Sequence, residues 1–361
     1  MARIALDAMG GDFAPRATVQ GALYALQEID AGHTIQLVGR MAVIGGELDA
    51  LLGGELAQLA GERARIEIVD APDVIEMTDR PTVVRKRPNS SMAVGIRLQC
   101  DGKSDAFVSA GNTGAQMAAS TMLLRLHGDL KRPAIGTVFP TARQPVLVLD
   151  SGANVDCSPE ELVNFARLGS VYAEDMLGRR NPSVGLLSIG EEAEKGNAVV
   201  KEANQLLQES GLNFQGNVEG RDIPYGASDR GPIDVVVCDG FVGNVVLKFY
   251  EAIAPVLIGM VAKGAGIERT KLEQAFKHLD YSEHGGAPLL GVRGVSIISH
   301  GKSSPRAIKN AIKVAVRAIE SRMDEHIGRR LSEAPVPAGR AGDSDPAEGG
   351  AGSVTKQHDV S

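Results

Sequence analysis

The chain has 361 residues, 43% hydrophobic and 23% charged, an ordinary balance for a globular protein with room for one large domain or two medium ones. A formal net charge of −7 argues against a surface built to hold nucleic acid. Cys100, Cys157 and Cys238 lie far apart with no C-x-x-C pair, so they read as reduced thiols of a cytoplasmic protein and not as a disulfide framework.

Ile4-Ala5-Leu6 reads as a first strand, not as the charged leader and apolar run of a secretory signal. Val19, Leu23 and Leu26 follow at helical spacing. Short apolar, β-rich runs then recur at Ile35–Val38, Ile66–Val69, Ala106–Val108, Val146–Leu149, Val184–Ile189, Val235–Val237 and Val295–Ile298, with helical patterns between them. Ser158-Pro159-Glu160-Glu161 is a capping box with Pro at the first helical position. Phe249, Ile253, Val256, Leu257 and Met260 recur at helical spacing, interrupted by Pro255 and Gly259 and widened by Ile258 and Val261. No run is expected to approach the ~20 apolar residues of a membrane-spanning helix. Ser304-Pro305 opens a last long helix with Ile308, Ile312, Ala315 and Ile319 on one face. From about Ser332 to Ser361 apolar residues nearly vanish, and a disordered tail is expected. The alternation predicts an α/β fold of mostly parallel sheet with flanking helices.

The candidate chemistry lies where strands run into small polar residues before a helix. The segments are Asp7-Ala8-Met9-Gly10-Gly11-Asp12, Ser109-Ala110-Gly111-Asn112-Thr113-Gly114, Asp150-Ser151-Gly152-Ala153-Asn154, Gly190 to Lys195-Gly196-Asn197, Cys238-Asp239-Gly240-Phe241-Val242-Gly243-Asn244, and Ser299-His300-Gly301. Carboxyl ends of strands face the ligand crevice of an open α/β sheet, and helix N-termini there offer free N–H groups to an anion. Any one such loop could be a plain capped turn; several in one chain point to a shared crevice suited to phosphate. Arg85-Lys86-Arg87, followed by Ser90, could grip phosphate oxygens, serve as a docking patch, or be a solvated charge run. Lys195 beside a helix start suits phosphate or a developing oxyanion, or is a surface lysine paired with Glu191 or Glu192.

Several standard motifs are missing. Gly301-Lys302-Ser303 resembles the end of a P-loop, but Ser296 stands where the first Gly is needed. No G-x-G-x-x-G follows a strand, no G-x-S-x-G elbow is present, and no H-E-x-x-H or paired His spacing suggests a metal, so no cofactor or metal is expected.

Taken in order, DAMGGD at Asp7–Asp12, SAGNTGA at Ser109–Ala115, GANVDC at Gly152–Cys157, GEEAEKGN at Gly190–Asn197, CDGFVGN at Cys238–Asn244, GGAPLLGVRG at Gly285–Gly294 and SHG at Ser299–Gly301 resemble the bacterial phosphate acyltransferase family (PlsX-type). The resemblance runs from about Ile4 to about Glu320. One departure is Ser188, where family members more often carry Asn before the Ile. The resemblance implies a fold like that of isocitrate dehydrogenase and phosphotransacetylase. It implies a first domain of residues 1–125 plus 285–331, a second of 126–284, a tail at 332–361, and a homodimer. It implies acyl transfer from acyl carrier protein to inorganic phosphate, and a membrane glycerol-3-phosphate acyltransferase that consumes the acyl phosphate. A cytoplasmic enzyme touching the membrane surface peripherally is expected, with Ile253, Leu257, Ile258 and Val261 as contacts; a core or dimer-interface helix is the other reading of that segment.

On this reading Lys195, Asn112 and Asn154 are the catalytic candidates. Asp7, Gly10, Gly11, Arg85, Arg87, Ser90, Ser109, Gly111, Thr113, Gly114, Gly152, Asn197, Asp239, Gly243, Asn244 and His300 are the phosphate-binding candidates. An acyl-CoA-using transacylase and a non-catalytic carrier-binding scaffold remain as alternatives.

Overall fold

The computed structural model describes residues 1–268, 270–272 and 285–333. The tail expected from Ser332 therefore lies almost wholly outside the described residues, as do His278 and His284.

In chain order the elements are β1 (Arg3–Asp7), α1 (Arg16–Leu26), β2 (Thr34–Gly39), α2 (Met41–Gly53), β3 (Ile66–Asp70), α3 (Ser91–Cys100), β4 (Ala106–Ser109), α4 (Thr113–Leu123), β5 (Ala134–Phe139) and β6 (Val146–Leu149). There follow α5 (Pro159–Leu177), β7 (Val184–Leu187), α6 (Ala198–Gln208), β8 (Phe214–Val218), α7 (Asp222–Tyr225), the short hairpin β9 (Ala227–Ser228) and β10 (Gly231–Pro232), and β11 (Val235–Val237). The described chain ends with α8 (Gly240–Ala265), β12 (Ala287–Leu290), β13 (Val295–Ile298), α9 (Pro305–Glu320) and α10 (Met323–Glu333).

One 11-stranded sheet runs through the molecule in the order β3-β2-β1-β4-β13-β12-β5-β6-β11-β7-β8. Two wings are parallel throughout: β3-β2-β1-β4-β13 on one side and β6-β11-β7-β8 on the other. They meet through an antiparallel centre in which β12 pairs with both β13 and β5, and β5 pairs with β6. Strands β4, β6, β7, β11 and β13 are buried along their whole length, which is why their sequences read as unbroken apolar runs. Helices α1, α5 and α9 cover the sheet with Leu23, Phe165, Ile308 and Ile312 in one continuous core. The capping box at Ser158 is formed on both sides, and Pro305 follows the Ser304 cap at the start of α9.

Three features differ from the sequence-based expectation. Strands β5, β8 and β12 were not anticipated, because Gly136, Gly216 and Pro288 break their apolar patterns and pairing with neighbours decides the outcome. The strand expected over Val184–Ile189 stops at Leu187, and Ile189 is 83% exposed in the following turn. The expectation of no span-length apolar run is corrected by α8. That helix has 26 residues and is long and apolar enough, by length and composition, to cross a membrane.

Candidate active site

The site is built around two buried carboxylates, one at the end of a strand in each wing. Asp7 closes β1. Its Oδ2 accepts from Ser109 Oγ at 2.8 Å and its Oδ1 from the Met9 N–H at 3.2 Å. Ser109 Oγ in turn accepts from the Gly111 N–H at 3.0 Å. Burial pushes the Asp7 carboxyl above the ordinary range, against the pull of hydrogen bonds from Ser91, Ser109, Met9 and Gly10. A Cβ at Gly10 would lie 2.6 Å from Asp7 Oδ2, so only Gly permits this fold of the loop. The loop after β13 is tied to both neighbours: the Ser299 N–H donates to Ser109 O at 2.8 Å and the Asp12 N–H to Gly301 O at 2.7 Å.

Asp150 does the same work after β6. Its Oδ1 accepts from the N–H groups of Ile135, Gly152 and Ala153 at 3.1, 3.1 and 2.9 Å. Its Oδ2 accepts from the Asn154 N–H at 2.7 Å and Asn154 Nδ2 at 2.8 Å. Burial again raises the carboxyl, more than these bonds lower it. Helix α8 starts directly on this loop. The Gly240 N–H donates to Asn154 O at 2.7 Å, and a Cβ at Gly243 would fall 1.9 Å from Asp150 O. That close approach is what the glycines of the Cys238–Asn244 segment provide.

Between the wings lies a cleft of about 630 Å³. Asn244, Leu247, Lys248 and Glu251 face it at helical spacing from α8. Thr113 enters it at the start of α4, and Ser151 and Gly152 from the loop after β6. His300, Lys302, Ser303 and Ser304 come from the loop before α9. Ile135, Val138, Leu247 and Ile298 give it an apolar wall. Helix α8 is anchored beside it by Tyr250, whose hydroxyl donates to Pro140 O and whose ring meets Phe139 edge-on at 5.1 Å.

Of the expected site residues, the cleft brings together Thr113, Gly152, Asn244 and His300. Gly10, Gly11 and Gly111 sit in the surrounding loops and Gly114 in the first turn of α4, while Asp7 and Ser109 hold the loops after β1 and β4 from beneath. Other expected contacts have local partners. Asn112 caps α4, accepting from the Ala115 N–H at 3.0 Å, while its Nδ2 donates to the carbonyls of Glu76, Met77 and Asp79 at 3.3, 3.1 and 2.8 Å. Asn154 Nδ2 is shared between Asp150 and Pro133 O, the latter at 2.8 Å. Neither amide is left to meet an oxyanion; both shape loops.

Ser90, Asn197 and Asp239 are N-caps of α3, α6 and α8. Arg87 pairs with Asp79 at 2.9 Å and donates to Val74 O at 2.6 Å, whereas Arg85 is exposed at the end of a short 3-10 turn. Lys195 is exposed in the turn before α6, its N–H donating to Glu192 O at 3.0 Å, and it is not among the residues lining the cleft.

Sequence reasoning missed Lys248, Lys302, Thr137 and Ser299, all of which line the cleft. Lys302 was visible in the discarded P-loop fragment and Ser299 in the SHG motif; Thr137 lay in an unrecognised strand.

A family profile described as fatty acid synthesis protein matches residues 2–326. The phosphate acyltransferase of Desulfitobacterium hafniense (strain Y51) is 47% identical over 342 residues, covering 92% of this chain and 98% of the relative. This chain belongs to the phosphate acyltransferase family. A second member, the phosphate acyltransferase of Desulforamulus reducens, is 48% identical over 330 residues, covering 89% of this chain and 94% of its own. Among solved structures, a phosphotransacetylase from Streptococcus pyogenes superposes with a TM-score of 0.59 at 16% identity, covering 88% of this chain and 94% of the other. A branched-chain phosphotransacylase from Enterococcus faecalis V583 gives 0.53 at 14% identity, with coverage of 88% and 100%. These likenesses establish the shared fold, which is phosphotransacetylase-like.

Proposed function

We propose that this chain forms acyl phosphate by moving a fatty acyl group from acyl carrier protein to inorganic phosphate, at the head of phospholipid synthesis. The carrying observation is the cleft itself, where lysines, a helix start and an exposed amide from Asn244 stand beside an apolar wall. That combination suits an anion next to an acyl group.

The chemistry asks for position more than for a covalent nucleophile. An oxygen of hydrogen phosphate attacks the thioester carbonyl carbon; the new C–O bond forms, the C–S bond breaks, and the phosphate proton ends on the departing thiol. A thiol of pKa ~8.5 is a fair leaving group. Holding the two reactants together and stabilising the tetrahedral oxyanion supply the acceleration. Cys157 and Cys238 are poor candidates for an acyl-enzyme, since burial pushes Cys157 up to about 12 and Cys238 well above its ordinary value, and the exposed Cys100 is not among the residues lining the cleft.

In the same reading the two wings are two domains, two copies pair as a homodimer, and the enzyme works in the cytoplasm against the membrane surface. Support for the last point is the outer face of α8, where Phe249, Val256, Leu257, Met260 and Val261 are exposed; Ile253 and Ile258 flank it partly buried. An insoluble product handed to a membrane glycerol-3-phosphate acyltransferase fits such a face. Release of carrier thiol from acyl carrier protein, measured with and without phosphate and with acyl-CoA as a competing donor, tests the reading. Thiol release that ignores phosphate, or that occurs only from acyl-CoA, contradicts it.

A further inference from the structure

The basic run Arg85-Lys86-Arg87 is a motif that the cleft leaves unused. From 80 to 87 the chain holds Arg80, Arg85, Lys86 and Arg87 and no carboxylate. Arg87 is committed to the fold, donating to Val74 O at 2.6 Å and pairing with Asp79 at 2.9 Å. Arg80, Arg85 and Lys86 are exposed, and among the described residues none of them has a carboxylate partner. Two carboxylates stand just before them. Glu76 is exposed, while Asp79 Oδ2 is taken by Arg87 and by the Glu76 N–H at 2.9 Å.

A charge run that is merely solvated needs no fixed backbone, and this one has it. Asn112 Nδ2 donates to the carbonyls of Glu76, Met77 and Asp79 at 3.3, 3.1 and 2.8 Å. The 3-10 turn Pro81–Arg85 follows at once. A Cβ at Gly114 would lie 2.7 Å from Pro81 Cγ, so the turn is pressed against the start of α4, and Val84 is buried beneath it. At ~2 Å per residue, such a turn keeps Arg80 and Lys86 within ~12 Å of each other.

The same contacts set these cations at the edge of the cleft. Met77 lines the cleft, and so does Thr113, the neighbour of Asn112 in the chain. Met77 Cε stands 2.8 Å from where a Cβ of Gly301 would be, so the segment closes against the loop before α9. Met77 is itself 44% exposed, an apolar side chain on the rim next to the basic turn.

The chain as a whole carries a net charge of −7 and repels an acidic macromolecule on average. A rigid positive rim beside the opening reverses that locally. It attracts an acidic partner and fixes which side of the partner meets the cleft.

We propose that Arg80, Arg85 and Lys86 form the docking surface for an acidic protein, the acyl carrier, whose arm then enters the cleft past Met77. The inference rests on the reading of the chain as a carrier-dependent phosphate acyltransferase, and it adds where the carrier sits.

The test uses the full chain and acyl carrier protein without its acyl group, so that binding reads protein contact apart from turnover. Arg85→Glu with Lys86→Glu is compared with wild type, and Arg80→Glu is examined by itself. Arg180→Glu with Lys201→Glu makes the same charge change at exposed positions before β7 and on α6, in the opposite wing. The Arg85/Lys86 double variant is expected to bind the carrier about tenfold more weakly at low salt, and Arg80→Glu a few-fold more weakly. Wild-type affinity should fall as salt rises, and that slope should flatten in the double variant. In the transfer assay the KM for carrier-bound acyl group should rise in step, with the phosphate KM in place. Melting curves check folding. Equal carrier binding by wild type and the double variant, an equal loss in the opposite-wing control, or a wild type that binds no carrier overturns the surface. A rise in the phosphate KM in place of the carrier KM also overturns it and makes the basic run a phosphate grip. Carrier binding with the expected losses but no acyl phosphate formed would instead overturn the activity and leave the docking surface standing.

Discussion

The side-chain amide of Asn154 donates to Asp150 Oδ2 at 2.8 Å, and this buried pair shapes the loop on which α8 begins. The other wing holds its counterpart, Ser109 Oγ donating to Asp7 Oδ2 at 2.8 Å. In each case a carboxylate gathers the N–H groups of the loop after its strand, so the residues above it face the cleft in fixed positions.

Asp150→Asn puts an NH2 group where the Asn154 donors now find an acceptor, and leaves buried donors unpaired. A loss of about 1–3 kcal/mol in stability is expected, read from denaturant unfolding. The pH dependence has a definite sign. Asp150 is raised above its unfolded value, so its favourable contribution is full below ~3.9 and is lost as pH rises through the folded value. The margin of wild type over Asp150→Asn should therefore narrow with rising pH; a margin that widens contradicts the assignment.

The cysteines give a second test. Cys100 is exposed, Cys157 is half-buried with its thiol pushed up to about 12, and Cys238 is buried. Alkylation of the folded protein near pH 8 should modify Cys100 first and leave the other two until the chain unfolds. Cys157→Ser should keep its turnover; a large loss with folding intact would reopen the case for an acyl-thiol intermediate.

The outer face of α8 predicts a surface effect. Phe249 and Met260 are each 66% exposed. If they enter a lipid interface, each contributes up to about 1.5–3 kcal/mol of burial, so Phe249→Glu with Met260→Glu should abolish flotation with liposomes while the sedimentation behaviour stays that of wild type. Undiminished flotation, or a change of oligomeric state in sedimentation, would assign this face to another role.

Lys195 provides a contrast with the cleft lysines. It is exposed and absent from the cleft lining. Lys195→Ala should fall well short of the ~10²–10³ loss in turnover that follows removal of an oxyanion donor. A loss of that size would bring the turn before α6 into the reacting centre.

These contrasts mark what the sequence could express. Strands β4, β6, β11 and β13 were legible because burial on both faces writes itself as an apolar run. Strands β5 and β12 were not, since Gly136 and Pro288 interrupt them and only antiparallel pairing makes them strands. Thr113, Gly152, Asn244 and His300 could be picked out as small polar residues just past a strand. Asn112 and Asn154 share that signature, but a sequence shows donors without the carbonyls and carboxylates that take them. Thr137 had no signal at all, because its place beside Ala287 comes from register between distant segments.

The most direct test of the account is to incubate the purified chain with acyl carrier protein bearing a fatty acyl group and with inorganic phosphate, then read product by phosphorus NMR and the intact protein by mass spectrometry. The account predicts an acyl phosphate resonance that requires both substrates, alongside protein of unchanged mass. No such resonance, or protein carrying the acyl mass as an intermediate, would contradict it.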